Sequence, residues 1–141
     1  MATFNKFNQF VEDLAKKVHN LNSDALKVMM TNSAPSASNA VLADITEITA
    51  QNGYSVGGAA VTFSSGAQTS GTYKLVLNDV TFTASGGSFG PFRYVVLYNS
   101  TPTSPLKPLI GYYDYGTAIT ITNGNSFTVD LDQVNGVLTL A

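Results

Sequence analysis

Several chemistries that proteins commonly use have no residues here to support them. The chain of 141 residues has no cysteine, no tryptophan and a single histidine, His19. Without cysteine there can be no disulfide, thiolate metal site or thiol nucleophile. One histidine also cannot supply the usual ligand set of a zinc site. We therefore expect that the protein holds no metal and no cofactor.

Charge is also scarce. Charged residues make up 11% of the chain, and the net charge is −2, whereas globular proteins carry about 25% charged residues. Binding to nucleic acid depends on Lys and Arg neutralising phosphates, so we predict no nucleic-acid partner. The apolar stretches are too short to span a membrane, and the first residues lack the apolar run of a signal peptide. We predict no membrane association and synthesis in a cytoplasm.

Residues suited to catalysis are present but scattered. His19 follows a predicted helix, no serine nucleophile motif lies near it, and we interpret it as a helix-terminal surface histidine. Asp130 and Asp132 are predicted to alternate outward at the end of a strand. Such a pair is a possible ligand for a hard cation, but no EF-hand loop is present and we favour the interpretation as a solvated strand face. No spacing selects a catalytic pair of carboxylates, so we predict that the protein is not an enzyme.

The first part of the chain has the periodicity of an amphipathic helix. Apolar residues recur at spacings of three and four over residues 4–21, and the first half of this stripe is aromatic. The sequence predicts an N-terminal helical segment, residues 1–24, that either packs on its own domain or serves as a docking arm. The candidate contact residues on this helix are Phe4, Phe7, Phe10, Val11 and Leu14.

Residues 25–141 have the features of a β-domain. From Leu26 the apolar period switches to two, which is typical of strands with one buried face. Residues 93–98 are apolar on both faces, the pattern of a central strand that is covered on both sides. A phase shift at Asn78-Asp79 predicts a bulge or a sheet corner within residues 72–84. The sequence predicts a mainly β fold, an antiparallel β-sandwich or jelly-roll-like domain, with further strands at 26–31, 61–63, 109–115, 118–122, 126–131 and 137–140.

Two connections between these strands differ in length: one is a tight turn and the other is a long loop. Asn123-Gly124 predicts a tight β-hairpin. Residues 99–108 contain three of the five prolines. This connection is too long for a tight hairpin. We predict a stiff, projecting loop. Its candidate contact residues are Pro102, Pro105, Leu106 and Pro108.

Tyrosines at residues 112, 113 and 115 allow two interpretations. In a strand, Tyr113 and Tyr115 share one face and would form an aromatic platform for a glycan. Packing in the core or between subunits, with each hydroxyl hydrogen-bonded, explains the same residues.

Several segments together resemble small virion structural proteins of tailed bacteriophages. They are FNKFNQFVEDLAKKVHNL, LKVMMTNSAPSASNAVLADITEI, NGYSVGG, YKLVLNDVTFTASGGSFGPFRYVVLYN, LIGYYDYG and FTVDLD. The resemblance covers nearly the whole chain and is most specific over residues 73–99 and 109–115. It carries no catalytic motif.

The resemblance implies a place in the virion for a protein made in the host cytoplasm. The role it implies is a head decoration, or cement, protein that stabilises contacts between capsomers. Its expected partners are the major capsid protein or other virion proteins. A homo-oligomer is also expected, with a trimer favoured because trimers fit the local threefold positions of a head. The alternative is a carbohydrate-binding module on a tail or fibre, with Tyr113 and Tyr115 as its platform.

Overall fold

The computed structural model describes residues 2–141, and in this range the chain is mainly β. It contains ten strands, one α-helix and a single turn of 3-10 helix at Leu42–Asp44. In chain order the elements are β1 (Thr3–Lys6), α1 (Asn8–Ala15), β2 (Leu26–Thr31), β3 (Ala59–Val61), β4 (Phe63–Thr69), β5 (Thr72–Leu77), β6 (Val80–Thr83), β7 (Phe89–Asn99), β8 (Leu109–Ile121), β9 (Ser126–Val129) and β10 (Leu138–Leu140).

The strands form three antiparallel sheets around one main core. A five-stranded sheet has the order β1-β8-β7-β2-β3, a three-stranded sheet the order β10-β5-β4, and β6 pairs with β9. Apolar side chains from all three sheets meet in the main core, among them Val28, Leu75, Phe82, Val95 and Val129. The prediction of a mainly β, antiparallel and sandwich-like fold is confirmed.

The central strands of the five-stranded sheet, β2 and β7, are buried on both faces. Val95 and Leu97 of β7 point into the main core. Val96 and Tyr98 alternate with them along the strand and point to the opposite face, because successive side chains of a strand alternate. There they join a second core, formed by Phe7, Met29, Val96, Tyr98 and Leu109. The prediction that residues 93–98 form a strand covered on both sides is confirmed.

The N-terminal segment is not one helix over residues 4–21. Thr3–Lys6 forms strand β1, which pairs antiparallel with β8 and places Phe4 opposite Tyr113. Their ring centroids are 5.3 Å apart, and a side chain at Gly111 would collide with the Phe4 ring. Pairing with a distant strand therefore replaces the first helical turn. At the other end, Lys17 adopts a φ of 65° and the chain leaves the helical path.

The docking-arm interpretation of this segment is also wrong. Phe7 and Phe10 are fully buried, the first in the second core and the second in the main core. Phe4 and Leu14 are partly buried against the main core, and Val11 alone of the five candidate residues is largely exposed. Residues 2–24 thus pack as part of the same domain as the sheets.

The turn predictions have mixed outcomes. The break at Asn78-Asp79 separates β5 from β6, and these strands enter different sheets, so the predicted corner is confirmed. Asn123-Gly124 forms a turn, but β8 and β9 also belong to different sheets, so the predicted hairpin is wrong. A tight hairpin lies instead at Ser70-Gly71, where both residues have positive φ, as a type I′ turn requires.

We predict that Phe10, the aromatic residue of α1, stabilises the fold. Phe10→Ala should lower the free energy of unfolding by about 3–5 kcal/mol, because it leaves a cavity in the main core. Val11→Ala is the matched control: the Val11 side chain is 52% exposed, and we expect a change below about 0.5 kcal/mol. Urea unfolding followed by circular dichroism measures both. Equal losses would show that α1 does not pack by its Phe10 face.

Candidate functional site

An open apolar groove lies on the surface between two segments that cover the second core. We call it the loop groove. It has a volume of about 390 Å³ and is lined by Met29, Val41, Leu42, Ala43, Ile45, Glu47, Leu106 and Lys107.

The floor and one wall of the loop groove come from different parts of the chain. Met29 of β2 is 1% exposed and belongs to the second core. Leu42 and Ile45 pack partly buried against the same core. The turn that carries them is held by Asp44, whose carboxylate accepts hydrogen bonds from the amides of Ala40 (2.9 Å) and Val41 (3.2 Å). These bonds lower the pKa of Asp44.

The other wall is the end of the proline-rich loop, residues 99–108, and backbone hydrogen bonds join it to the first wall. The Leu42 amide donates to the Lys107 carbonyl at 2.9 Å, and the Leu109 amide donates to the Ala40 carbonyl at 3.0 Å. Leu106 is 59% exposed although the chain on either side of it is held in place. The groove therefore presents an exposed leucine on a fixed backbone.

Charge at the loop groove is limited. Glu47 lines it, but its Oε2 accepts a hydrogen bond from the Tyr54 hydroxyl and another from the Gly57 amide, both at 2.7 Å. Burial, with Glu47 beside it, raises the pKa of Tyr54. The neighbouring Tyr98 hydroxyl donates to the Gly57 carbonyl at 2.6 Å, and burial raises the pKa of Tyr98 to about 12. The Glu47 carboxylate thus already has partners, and the surface of the groove is mainly apolar.

The predicted contact residues of the loop fall into three classes. Leu106 is exposed, Pro102 and Pro105 are partly buried, and Pro108 is buried. The prediction of Pro108 as a contact residue is wrong, because it forms a bridge to Val41 and fastens the loop. None of the five candidate residues of the N-terminal segment lines the loop groove.

The tyrosine platform is not available to a glycan. Tyr113 is 4% exposed and lies in the main core, and burial raises its pKa. Tyr115 is partly buried and packs edge-on against Phe127, with ring centroids 5.2 Å apart. Burial raises the pKa of Tyr115 to about 12. The interpretation of Tyr113 and Tyr115 as an exposed platform is therefore wrong, and Tyr113 is a core residue.

The paired aspartates serve the backbone of their own loop. Strand β9 ends at Val129, so Asp130 and Asp132 do not continue its alternation. Asp130 accepts a hydrogen bond from the Asp132 amide at 2.9 Å, and Asp132 accepts one from the Asn135 amide at 2.9 Å. Among residues 2–141, no three His, Asp or Glu side chains are grouped so that they could hold a metal ion.

His19 is not the surface residue that we predicted. Helix α1 ends at Ala15, and the chain then folds back so that His19 is 5% exposed and lies against the ring of Phe10. Its hydrogen-bond partner, Asn99, is distant in sequence. No local pattern could have identified that contact. By contrast, Leu42 and Ile45 are three residues apart, the spacing of one helical turn, and this spacing is a usable sequence signal for one wall of the loop groove.

Comparison of the chain with protein-family models, with curated proteins and with solved structures produced no match. No helix in the described part of the chain is both long and apolar enough to cross a membrane.

We predict that the two leucines at the end of the loop differ sharply in their effect on stability. Leu109→Ala should lower the free energy of unfolding by about 2–5 kcal/mol, because Leu109 is fully buried in the second core. Leu106→Ala should change it by less than about 0.5 kcal/mol. Chemical denaturation measures both. A large loss from Leu106→Ala would mean that this side chain is part of the core rather than of a contact surface.

Proposed function

We propose that this chain is a non-enzymatic structural protein of a tailed-bacteriophage virion, with a jelly-roll-like arrangement of its strands. Its role is that of a head decoration protein, which binds the shell and stabilises contacts between capsomers. The observation that carries the proposal is the exposed Leu106 on the rigid, mainly apolar loop groove. The resemblance of the chain to small virion proteins supports it.

The loop groove has the properties of a protein-binding surface. Contact patches are typically rich in apolar side chains and poor in charge at their centre. The backbone amide and carbonyl of Lys107, next to Leu106, are already hydrogen-bonded, so binding would order little of the chain there and would lose little entropy. In this proposal an apolar side chain of the major capsid protein enters the loop groove beside Leu106.

The size of this contact implies that several copies act together. Burying one leucine-sized side chain contributes about 1.5–3 kcal/mol, which is too little for a stable attachment by one subunit. Linked copies on a symmetric shell bind far more tightly than single ones, because the second contact is intramolecular. The proposal therefore includes a homo-oligomer, with a trimer favoured at the threefold positions of the head.

Strand β4 is the surface that we assign to contact between copies. It lies at the edge of the three-stranded sheet, and its seven residues, Phe63–Thr69, include no charged residue and no proline. The edge strands β1, β3 and β10 have four residues or fewer. Natural proteins usually protect long edges with charges or proline, since unpaired backbone groups attract another strand. The uncharged β4 lets identical copies approach without repulsion.

Attachment to heads tests the role of the loop groove. Leu106→Asp should abolish co-sedimentation with heads of the phage that encodes the chain, because it places a charge in an apolar contact. Val134→Asp is the matched control, since Val134 is 80% exposed and lies outside the groove. Undiminished attachment of folded Leu106→Asp protein would overturn the groove assignment.

Sedimentation equilibrium tests the role of β4. The unmodified protein should sediment above monomer mass. The double variant Ser64→Lys, Gln68→Lys should weaken self-association by at least about tenfold, because like charges then face each other across the paired edges. Thr81→Lys, on an exposed position of β6, should leave the mass unchanged. A monomeric unmodified protein would contradict the assignment of β4.

The location in the particle has its own test. Cryo-microscopy of intact virions should place density for this fold on the outer surface of the head. Density on the tail or fibre instead would overturn the head assignment while leaving a structural role in place.

A further inference from the structure

A cluster of buried polar side chains connects the chain after α1 to the start of the proline-rich loop. We call it the polar node and define it as Asp13, His19, Asp24 and Asn99. Asp13, His19 and Asn99 are 4%, 5% and 0% exposed, and Asp24 is partly buried. Because residues of this kind are costly to bury without partners, the hydrogen bonds of the node determine its state.

The partners of Asn99 determine which way its amide faces. Its Nδ2 donates to the Asp24 carboxylate at 2.6 Å, and its Oδ1 accepts from the Thr101 amide at 3.1 Å. A carboxylate can only accept and a backbone amide can only donate, so the reverse orientation would break both bonds.

This orientation in turn determines the tautomer of His19. The same Nδ2 of Asn99 lies 3.1 Å from Nδ1 of His19. Because Nδ2 is a donor, Nδ1 must accept, and neutral His19 carries its proton on Nε2. Within residues 2–141 neither Nε2 of His19 nor Oδ2 of Asp13 has a hydrogen-bond partner, although both are buried. The hydrogen bonds of the polar node thus fit a neutral imidazole ring at His19.

The groups that face His19 act on its charge in opposite directions. Burial, including contact with the Phe10 ring at 5.1 Å, lowers the pKa of His19. The carboxylates of Asp13 on α1 and Asp24 before β2 act to raise it, and burial has the larger effect. Lys17, which lines the same surface groove as His19, adds a further positive charge nearby.

Asn99 also begins the loop that forms one wall of the loop groove. Besides the bond from the Thr101 amide to Asn99, the Ser100 amide donates to the Ala25 carbonyl at 2.9 Å. The Ala25 amide donates to the Thr101 hydroxyl at 2.8 Å. A change in the Asn99 side chain therefore acts first on Ser100 and Thr101.

We propose that protonation of His19 loosens the first residues of the proline-rich loop, Ser100 and Thr101, so that they are held firmly near neutral pH and less firmly in mild acid. A proton on Nδ1 would face the Nδ2 donor of Asn99. Rotation of the Asn99 amide would relieve this contact but would break its bonds to Asp24 and Thr101. The biological meaning rests on the proposed function, because the same loop is the proposed shell contact.

The direction of the pH effect follows from proton linkage. The pKa of His19 is lowered in the folded protein from its ordinary value of 6.5. The loosened state therefore binds the proton more tightly than the folded state. The stabilisation is fully present above pH 6.5 and declines as the pH falls from 6.5 toward the lowered pKa. Over that window the opening constant should rise by at most about tenfold per pH unit, because a single proton is taken up.

The test uses the isolated protein and the fact that His19 is its only histidine. Nitrogen-15 shifts of the ring should report the Nε2–H tautomer at about pH 7.5 and a pKa below the ordinary value. Amide protection factors, corrected for intrinsic exchange, should fall at Ser100 and Thr101 between about pH 7.5 and about pH 5.5. The Asn125 amide, bonded to Thr122 in a distant turn, should not change.

A variant separates His19 from the carboxylates. In His19→Gln the protection of Thr101 should no longer depend on pH in this range, because Gln does not titrate. An Nδ1–H tautomer, an unchanged protection factor in the unmodified protein, or an equal pH dependence in His19→Gln would each overturn the proposal. If His19→Gln fails to fold, the ring tautomer and the protection factors of the unmodified protein still test the proposal. None of them involves a phage particle, so their failure leaves the proposed function standing.

Discussion

The fold depends on a single constraint: the central strands of the five-stranded sheet are apolar on both faces. Val95 and Leu97 require one cover, and Val96 and Tyr98 require another. The smaller sheets cover the first face and build the main core. The second face is covered by short pieces, among them Phe7, the turn at residues 42–45 and the end of the proline-rich loop. A thin cover of this kind leaves open space, and the loop groove is that space.

The sequence allowed much of the sheet to be predicted but little of its covering. Strand β2, the doubly covered part of β7 and the corner at Asn78-Asp79 follow from local alternation of apolar residues. Strand β4 was missed because the sequence FSSGAQT has no apolar alternation. The helix over residues 4–21 was overextended because spacings of three and four also fit a strand followed by a short helix. The strand depends on pairing with β8, where Gly111 leaves space for the Phe4 ring, and this long-range contact has no local signal.

The candidate site was predictable to a similar degree. Leu106 was identified because the proline-rich loop was expected to project, and its side chain is exposed. Met29, the floor of the loop groove, was not identified. Nothing in the sequence distinguishes an apolar residue on the second face of β2 from an ordinary core residue. The polar node was missed for a different reason. His19 and Asn99 are 80 residues apart in the chain, and a long-range hydrogen bond has no local signature.

The first and last strands each pair with a strand that is distant in the sequence, and this has a consequence for biosynthesis. Strand β1 pairs with β8, and β10, which ends at Leu140, pairs with β5. While the last residues are still inside the ribosome, β10 cannot add to its sheet, and Val137 and Leu138 cannot reach the main core. The emerging chain therefore leaves one edge of β5 unpaired, the edge opposite β4, until β10 has emerged. The domain is completed only after β10 has left the ribosome, and a truncation that removes β10 would leave this sheet edge open.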